Sequence, residues 1–411
     1  MDSINNRIKY IIVSIFFPTP DKYFGPFIYD LVRAISQFTH YEVVVFKPVS
    51  WREKCIDYEY EGIKVHCFKT YDLPSYILNG VMDPINVISF SRKLKSIGIH
   101  EKEIVAIHGH TINCGAYCNY LKKKDPEIIS ILHHHDPDPY KILHGKFSLN
   151  SINLAYRASH SAKVISNMDW NVSVSNKVNE NLISFPQAGC REYYEPYLNQ
   201  LSKLPKKITT NLSPDKCVVL YNGVDNTIFN NIQKVKSTHK KFIIGCNANY
   251  VNWKRHDILL HAIKIIHDKN YNIELRLLGT NPTIGFKKIQ SMVFDLKLKN
   301  IVKFVKPCDH KKLPSFYTEL DLFVLPSVFE GFGCVFTEAY ACGVPFISCK
   351  GQAIEEIVSE NERNMFFANP DDPFSLAELI IKYIEDRPVQ HLCTQINFED
   401  LIPKFMHKIG L

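Results

Sequence analysis

Two glutamates, Glu330 and Glu338, stand eight residues apart around a glycine pair, Gly331 and Gly333. The string from Pro326 to Ser348 reads as strand, glycine-rich turn, helix, stop and strand. Asp321 to Leu325 is an apolar strand, Phe336 to Cys342 a short helix, and Gly343-Val344-Pro345 ends it. Backbone amides at such a helix start form an anion site, favouring negative charge by about 0.3–2 kcal/mol. A carboxylate accepts from two neighbouring hydroxyls. One carboxylate before the turn and one inside the helix therefore suit a molecule with sugar hydroxyls at both ends and phosphate between them, which describes a nucleotide sugar. Taken alone, Gly-x-Gly would mean no more than a tight strand-to-helix turn.

Further reactive types lie elsewhere. Lys254 opens a helix within Trp253-Lys254-Arg255-His256-Asp257, and His133-His134-His135-Asp136-Pro137-Asp138 follows the strand Ile128 to Leu132. Neighbours on a strand end point to alternating sides, and zinc ligands more often come spaced, so no metal site is expected from the three adjacent histidines. They face a ligand or cap the sheet edge. His108 and His110 end the preceding strand and could line the same cleft; they receive no catalytic role.

The elements that position these groups follow an α/β grammar. Ile8 to Phe16 reads as a strand buried on both faces, Phe27 to Phe38 as a helix with Ile28, Leu31, Val32 and Ile35 on one side, and Tyr41 to Phe46 as the next strand. Further strands are expected at Ile104 to Ile107, Val164 to Ser166 and Val218 to Tyr221; Trp51 to Ile99 resists assignment. The pattern restarts with strands at Phe242 to Gly245, Ile273 to Leu278 and Ile301 to Val305, and a helix from Asp257 to Asp268. The expected organisation is an N-terminal Rossmann-like domain over 1–225, a linker over 226–240, a second Rossmann-like domain over 241–385 and a helical tail over 386–411. Two facing parallel sheets would enclose a cleft at the carboxyl ends of their strands.

Composition agrees with that size. The 411 residues are 45% hydrophobic, enough for more than one core, and the net charge of +7 is too mild and too scattered for a nucleic-acid partner. Twelve cysteines show no CxxC pairs with zinc spacing, so they read as reduced thiols of a cytoplasmic protein. The apolar run Tyr10 to Phe17 is short for a leader core or membrane span. Lys122-Lys123-Lys124 and Lys203 to Lys207 are solvated faces or a peripheral contact with the inner, anionic face of a membrane.

The Glu330 to Glu338 string resembles the Glu-x7-Glu motif of glycosyltransferase family 4, retaining enzymes of the GT-B fold. Asn222-Gly223-Val224-Asp225 is similar to that family's strand end before the linker, and Gly25 sits where the family has a first-loop glycine. The resemblance spans residues 8 to about 385, and it implies that the domain over 1–225 is the acceptor side, that the domain over 241–385 binds the nucleotide sugar and that the tail over 386–411 packs back on the first domain. It implies that Lys254 binds the donor phosphates, that Glu330 holds hydroxyls of the transferred sugar, that the amides of Phe332 and Gly333 meet sugar or phosphate, that Glu338 holds the ribose, and that Gly25 leaves room for the diphosphate. It also implies that His135, or failing it His134, faces the donor sugar near the reacting carbon. Two departures stand out. Ala248-Asn249 occupies the place of a usual arginine, whose part would fall to Arg255 or Asn249, and Asp136 replaces a usual glycine.

The expected activity is therefore hexosyl transfer with retention, from a UDP- or GDP-sugar to a glycan, lipid-linked or other acceptor hydroxyl in cell-surface polysaccharide or glycoconjugate synthesis, without a required cofactor or metal. A non-catalytic subunit of a glycosyltransferase complex and a sugar-nucleotide epimerase on the same fold are the alternatives.

Overall fold

The computed structural model describes residues 7–21, 25–73, 78, 80–135, 151–184, 212–229, 241–279, 284–394 and 396–411. The chain forms two compact units, Met1–Gly223 with Phe398–Leu411, and Val224–Asn397.

In the first unit the order is β1 (Lys9–Val13), α1 (Pro26–Phe38), β2 (Glu42–Ser50), β3 (Tyr58–Tyr60), β4 (Ile63–Thr70), α2 (Asp83–Ser96), β5 (Ile104–His110), α3 (Gly115–Lys124), β6 (Ile129–His134), α4 (Ser151–Ser166), β7 (Trp170–Ser173), α5 (Asn176–Ser184) and β8 (Cys217–Val219). The strands pair in the order β3-β4-β2-β1-β5-β6-β7-β8, all parallel except β3 against β4. Strand β1 sits inside this sheet. Its alternate residues enter different cores, Ile11 and Val13 on one face and Tyr10 and Ile12 on the other, as expected of a strand covered on both sides.

Two sequence expectations change here. The stretch from Trp51 to Ile99 holds a hairpin, β3–β4, turning on Glu61 and Gly62 with φ of 48° and 83°, followed by helix α2. Val164 to Ser166 is the last turn of α4 rather than a strand. Val164 and Ile165 are buried in the sheet core, and that burial outweighs the small helix penalty of β-branched residues.

The second unit comprises β9 (Phe242–Asn247), α6 (His256–Asp268), β10 (Ile273–Leu278), α7 (Ile284–Asp295), β11 (Val302–Val305), α8 (Leu313–Thr318), β12 (Leu322–Val324), α9 (Cys334–Ala341), β13 (Phe346–Cys349), α10 (Arg363–Phe366), β14 (Phe367–Ala368) and α11 (Pro373–Glu385). Its six strands are all parallel, in the order β11-β10-β9-β12-β13-β14. The order runs outward in one direction from β9 and in the other from β12, so it reverses between them.

The units divide at Gly223/Val224 and Asn397/Phe398. Residues 386–397, expected in the tail, stay with the second unit because the Gln390 side chain pairs with both backbone groups of Phe346, accepting from its N–H at 2.9 Å and donating to its carbonyl at 2.7 Å. Residues 230–240 of the expected linker lie outside the described set. The last helix, α12 (Phe398–Ile409), belongs to the first unit, where Ile402, Phe405 and Ile409 join the core of Ile28, Leu31 and Ile35 from α1. Among the described residues no helix is long and apolar enough to cross a membrane.

Candidate functional site

In an open parallel sheet the ligand crevice lies beyond the carboxyl ends of the strands where their order reverses. In the second unit that place is the end of β9 and β12, and two loops meet there. The first carries Lys254 in a single 3-10 turn, Asn252–Lys254, and leaves it through Arg255 at φ 50°. The second carries Ser327 to Gly333. The Val328 N–H donates to the Trp253 carbonyl at 3.0 Å, and the Ser327 hydroxyl lies 3.1 Å from the carbonyls of Trp253 and Phe329. Clamped in this way, Lys254 Nζ donates to Glu330 Oε1 at 2.5 Å, while the Glu330 N–H donates to Gln352 Oε1 at 3.1 Å. The pair is only partly open to solvent, which makes it a charge-assisted contact stronger than a surface ion pair.

Gly333 ends the turn at φ 93° and starts α9 with no side-chain cap. A Cβ there would come within 2.7 Å of the Phe336 ring, so both backbone conformation and space demand glycine. Phe332 is buried beneath the turn. Glu338, one turn into α9, is buried too, and both its oxygens are engaged: His310 Nε2 lies 2.9 Å from Oε1, and the Tyr317 hydroxyl donates to Oε2 at 2.8 Å. His310, Tyr317, Ser327 and Gln352 were not singled out by sequence; their roles depend on elements that only the fold brings together.

Arg255 and Asn249 fare differently. The Arg255 guanidinium is shared between Asp257, at 3.1 and 3.2 Å, and Asp371. It is fixed by carboxylates, so the idea that it replaces the missing arginine as a phosphate cation loses its simplest form. Asn249 is exposed just beyond β9. His256 beneath Lys254 is pushed down to about 4 by burial and by the neighbouring ammonium, and stays neutral.

At the order reversal of the first unit, between β1 and β5, the chemistry is imidazole. Register pairs His110 with His133 across β5 and β6, so His108, His110, His133 and His135 share one face and His134 takes the other. The four rings form two hydrogen-bonded pairs, His108 Nε2 with His133 Nδ1 at 3.2 Å and His110 Nδ1 with His135 Nε2 at 2.8 Å. The rings of each pair lie in nearly parallel planes, with interplanar angles of 10° and 20°. The pairs then stack, with centroids 4.6 Å apart along β5 and 4.3 Å along β6. Tyr10 caps the first pair, its hydroxyl 3.0 Å from His108 Nδ1, and Phe27 packs on His135. Burial pushes His108 down to about 3 and His134 to about 4, and holds His110 and His133 well below the usual imidazole range, so these four rings are neutral.

Ring nitrogens of His108, His110 and His133 lie within 4.8 Å of one another, a span a metal ion can bridge. The first-loop glycine, Gly25, starts α1 at φ 77°, where a Cβ would lie 2.8 Å from the Phe16 backbone. Asp138 lies outside the described residues, as do Lys203 to Lys207. Lys122 is tied to Asp169 at 2.8 Å.

The fold of the whole chain is GT-B. Sucrose-phosphate synthase from Thermosynechococcus elongatus superposes with a TM-score of 0.70 at 14% identity, covering 98% of each chain. Anabaena HepE in complex with UDP and glucose gives 0.68 at 15% identity, covering 98% of this chain and all of that one. Residues 227–399, which contain the Lys254 and Glu330 loops, match the family of glycosyl transferases group 1. Curated relatives include the capsular polysaccharide biosynthesis glycosyltransferase CapM of Staphylococcus aureus, 32% identical over 197 residues, or 45% of this chain and 50% of that protein. The O-antigen chain mannosyltransferase RfbU of Salmonella typhimurium strain LT2 is 28% identical over 180 residues, 44% and 47% of the two chains. The chain thus spans about half the length of the curated relatives it matches.

Proposed function

We propose that this chain is a retaining glycosyltransferase that moves a hexose from a UDP- or GDP-sugar to a hydroxyl of a glycan or lipid-linked acceptor, in the building of a cell-surface polysaccharide or glycoconjugate. The carrying observation is the Lys254–Glu330 pair at the strand-order reversal, beside the glycine turn that opens α9. When the bond to the anomeric carbon breaks, negative charge grows on the departing diphosphate. Lys254 and the first-turn amides of α9 oppose that charge, and stabilisation of this kind is usually the largest catalytic contribution. Glu330, already oriented by Lys254 and Gln352, accepts from hydroxyls of the transferred sugar. The leaving phosphate oxygen takes the proton of the acceptor hydroxyl on the same face, so retention needs no protein nucleophile, metal or cofactor. The capsular and O-antigen names among the relatives, and the UDP held by a protein of the same fold, support donor and pathway class.

Calorimetric titration with a panel of UDP- and GDP-sugars tests this in the intact protein, Lys254→Ala and Glu330→Ala. Selective binding weakened by about thirtyfold or more in Lys254→Ala is expected, because it removes the ammonium proposed to face the diphosphate, and truncating one partner of a buried charge pair formed on binding costs about 2–5 kcal/mol. The pairing of Arg255 with two aspartates favours a second reading, a subunit that binds donor without transfer. Donor consumption that requires an acceptor excludes that reading as well as an epimerase. Absence of any binding by the folded protein overturns the proposal.

A further inference from the structure

Glu338 is held by more than its helix. Four elements converge on it: His310 from the turn before α8, Tyr317 from α8, Asn247 from the end of β9, and Phe229 from the segment that enters the second unit. An ionised carboxylate only accepts, so His310 Nε2 carries the proton and donates to Oε1 at 2.9 Å. Asn247 Nδ2 donates to the Tyr317 oxygen at 3.2 Å, which leaves the Tyr317 proton for Oε2 at 2.8 Å. Burial, and then the Glu338 charge, hold the Tyr317 phenol far above its usual range, so that proton stays in place. Phe229, itself buried, closes the far side, its ring edge-on to His310 at 4.8 Å and 6.3 Å from Tyr317.

Each carboxylate oxygen has two lone pairs, and one on each is taken by these donors. The remaining two, one per oxygen, form a pair of acceptors whose direction is set by His310 and Tyr317. We infer that His310 and Tyr317 are positioning residues that aim Glu338 at the vicinal hydroxyls of a nucleotide's ribose. This rests on the donor-site reading above and extends it: the preference for a ribonucleotide is set by residues that do not themselves touch the sugar.

The test is calorimetric binding of UDP, 2′-deoxy-UDP, GDP and 2′-deoxy-GDP to the full chain, Tyr317→Phe, His310→Ala and His310→Gln. The wild type is expected to favour the ribose form about tenfold, the worth of one hydrogen bond to a charged group. Tyr317→Phe, which keeps the ring, and His310→Ala are expected to bring that ratio towards one while affinity for the deoxy forms changes little. His310→Gln, whose amide can still donate, is expected to recover part of it. A general packing defect would instead lower affinity for both forms alike. An unchanged ratio in Tyr317→Phe, or a wild type with no ribose preference, overturns the positioning role and leaves the donor site standing. Failure of the wild type to bind any of the four brings down the donor-site reading and this inference together.

Discussion

At the strand-order reversal of the first unit, between β1 and β5, the side chains that meet are neutral imidazoles arranged in hydrogen-bonded pairs. At the corresponding place in the second unit, between β9 and β12, an ammonium meets a carboxylate at 2.5 Å. Topology makes the same kind of edge in both units, and local residues then decide whether it is a neutral surface or a charged one. Burial explains why the two solutions differ. Fully enclosed histidines lose their protons, whereas Lys254 and Glu330 stay partly open and compensate each other.

Forcing the first edge to resemble the second should have the largest effect. His133→Glu would place a carboxylate at a site only 1% exposed, with no ammonium or guanidinium among its hydrogen-bond partners in the described residues. A loss of about 3–5 kcal/mol in stability is expected, read as a lower urea midpoint at pH 7. A midpoint unchanged from the wild type would show that the imidazole array tolerates charge and that the contrast between the edges is not one of desolvation.

Acid sharpens the same contrast. His108 and His134 titrate at about 3 and 4 when folded and near 6.5 when unfolded, so between those values the unfolded chain binds more protons. Stability is then fully present above about pH 6.5 and falls as pH drops towards 4, by about 1.4 kcal/mol per histidine per pH unit. Urea midpoints measured from pH 7.5 to 5 should show this slope, and His134→Gln should reduce it by one histidine's share. A flat profile would mean that these rings are not buried neutral. The smallest expected effect lies at the second edge: Ser327→Ala removes one hydroxyl clamp between the loops and should cost about 1 kcal/mol, with donor affinity falling about fivefold. No change in affinity would make the Val328 backbone bond a sufficient clamp.

Much of the second edge was legible in sequence because it is local. Gly333 marks a turn position that only glycine fills, and Lys254 and Glu330 each stand one loop beyond a readable strand. The first edge was not. His108 and His110 gain their meaning from the register that sets His110 beside His133, and parallel register between strands joined through a helix leaves no sequence mark. The same holds for His310 and Tyr317, which reach Glu338 from a different helix. The strand expected at Val164 to Ser166 failed for a related reason: β-branched residues report burial, and here the buried element is a helix.

The Val224 N–H donates to the Ile396 carbonyl at 2.9 Å, and Val224 bridges to Asn397, so the second unit's first and last residues are stitched together. A piece of protein whose ends already meet is portable. Cut out at 224 and 397, it carries its own six-stranded sheet, both reactive loops and the whole Glu338 cradle, and its removal leaves the remaining chain with one short gap to splice. Grafted into another host, it would carry the Lys254, Glu330 and Glu338 surroundings over as one piece.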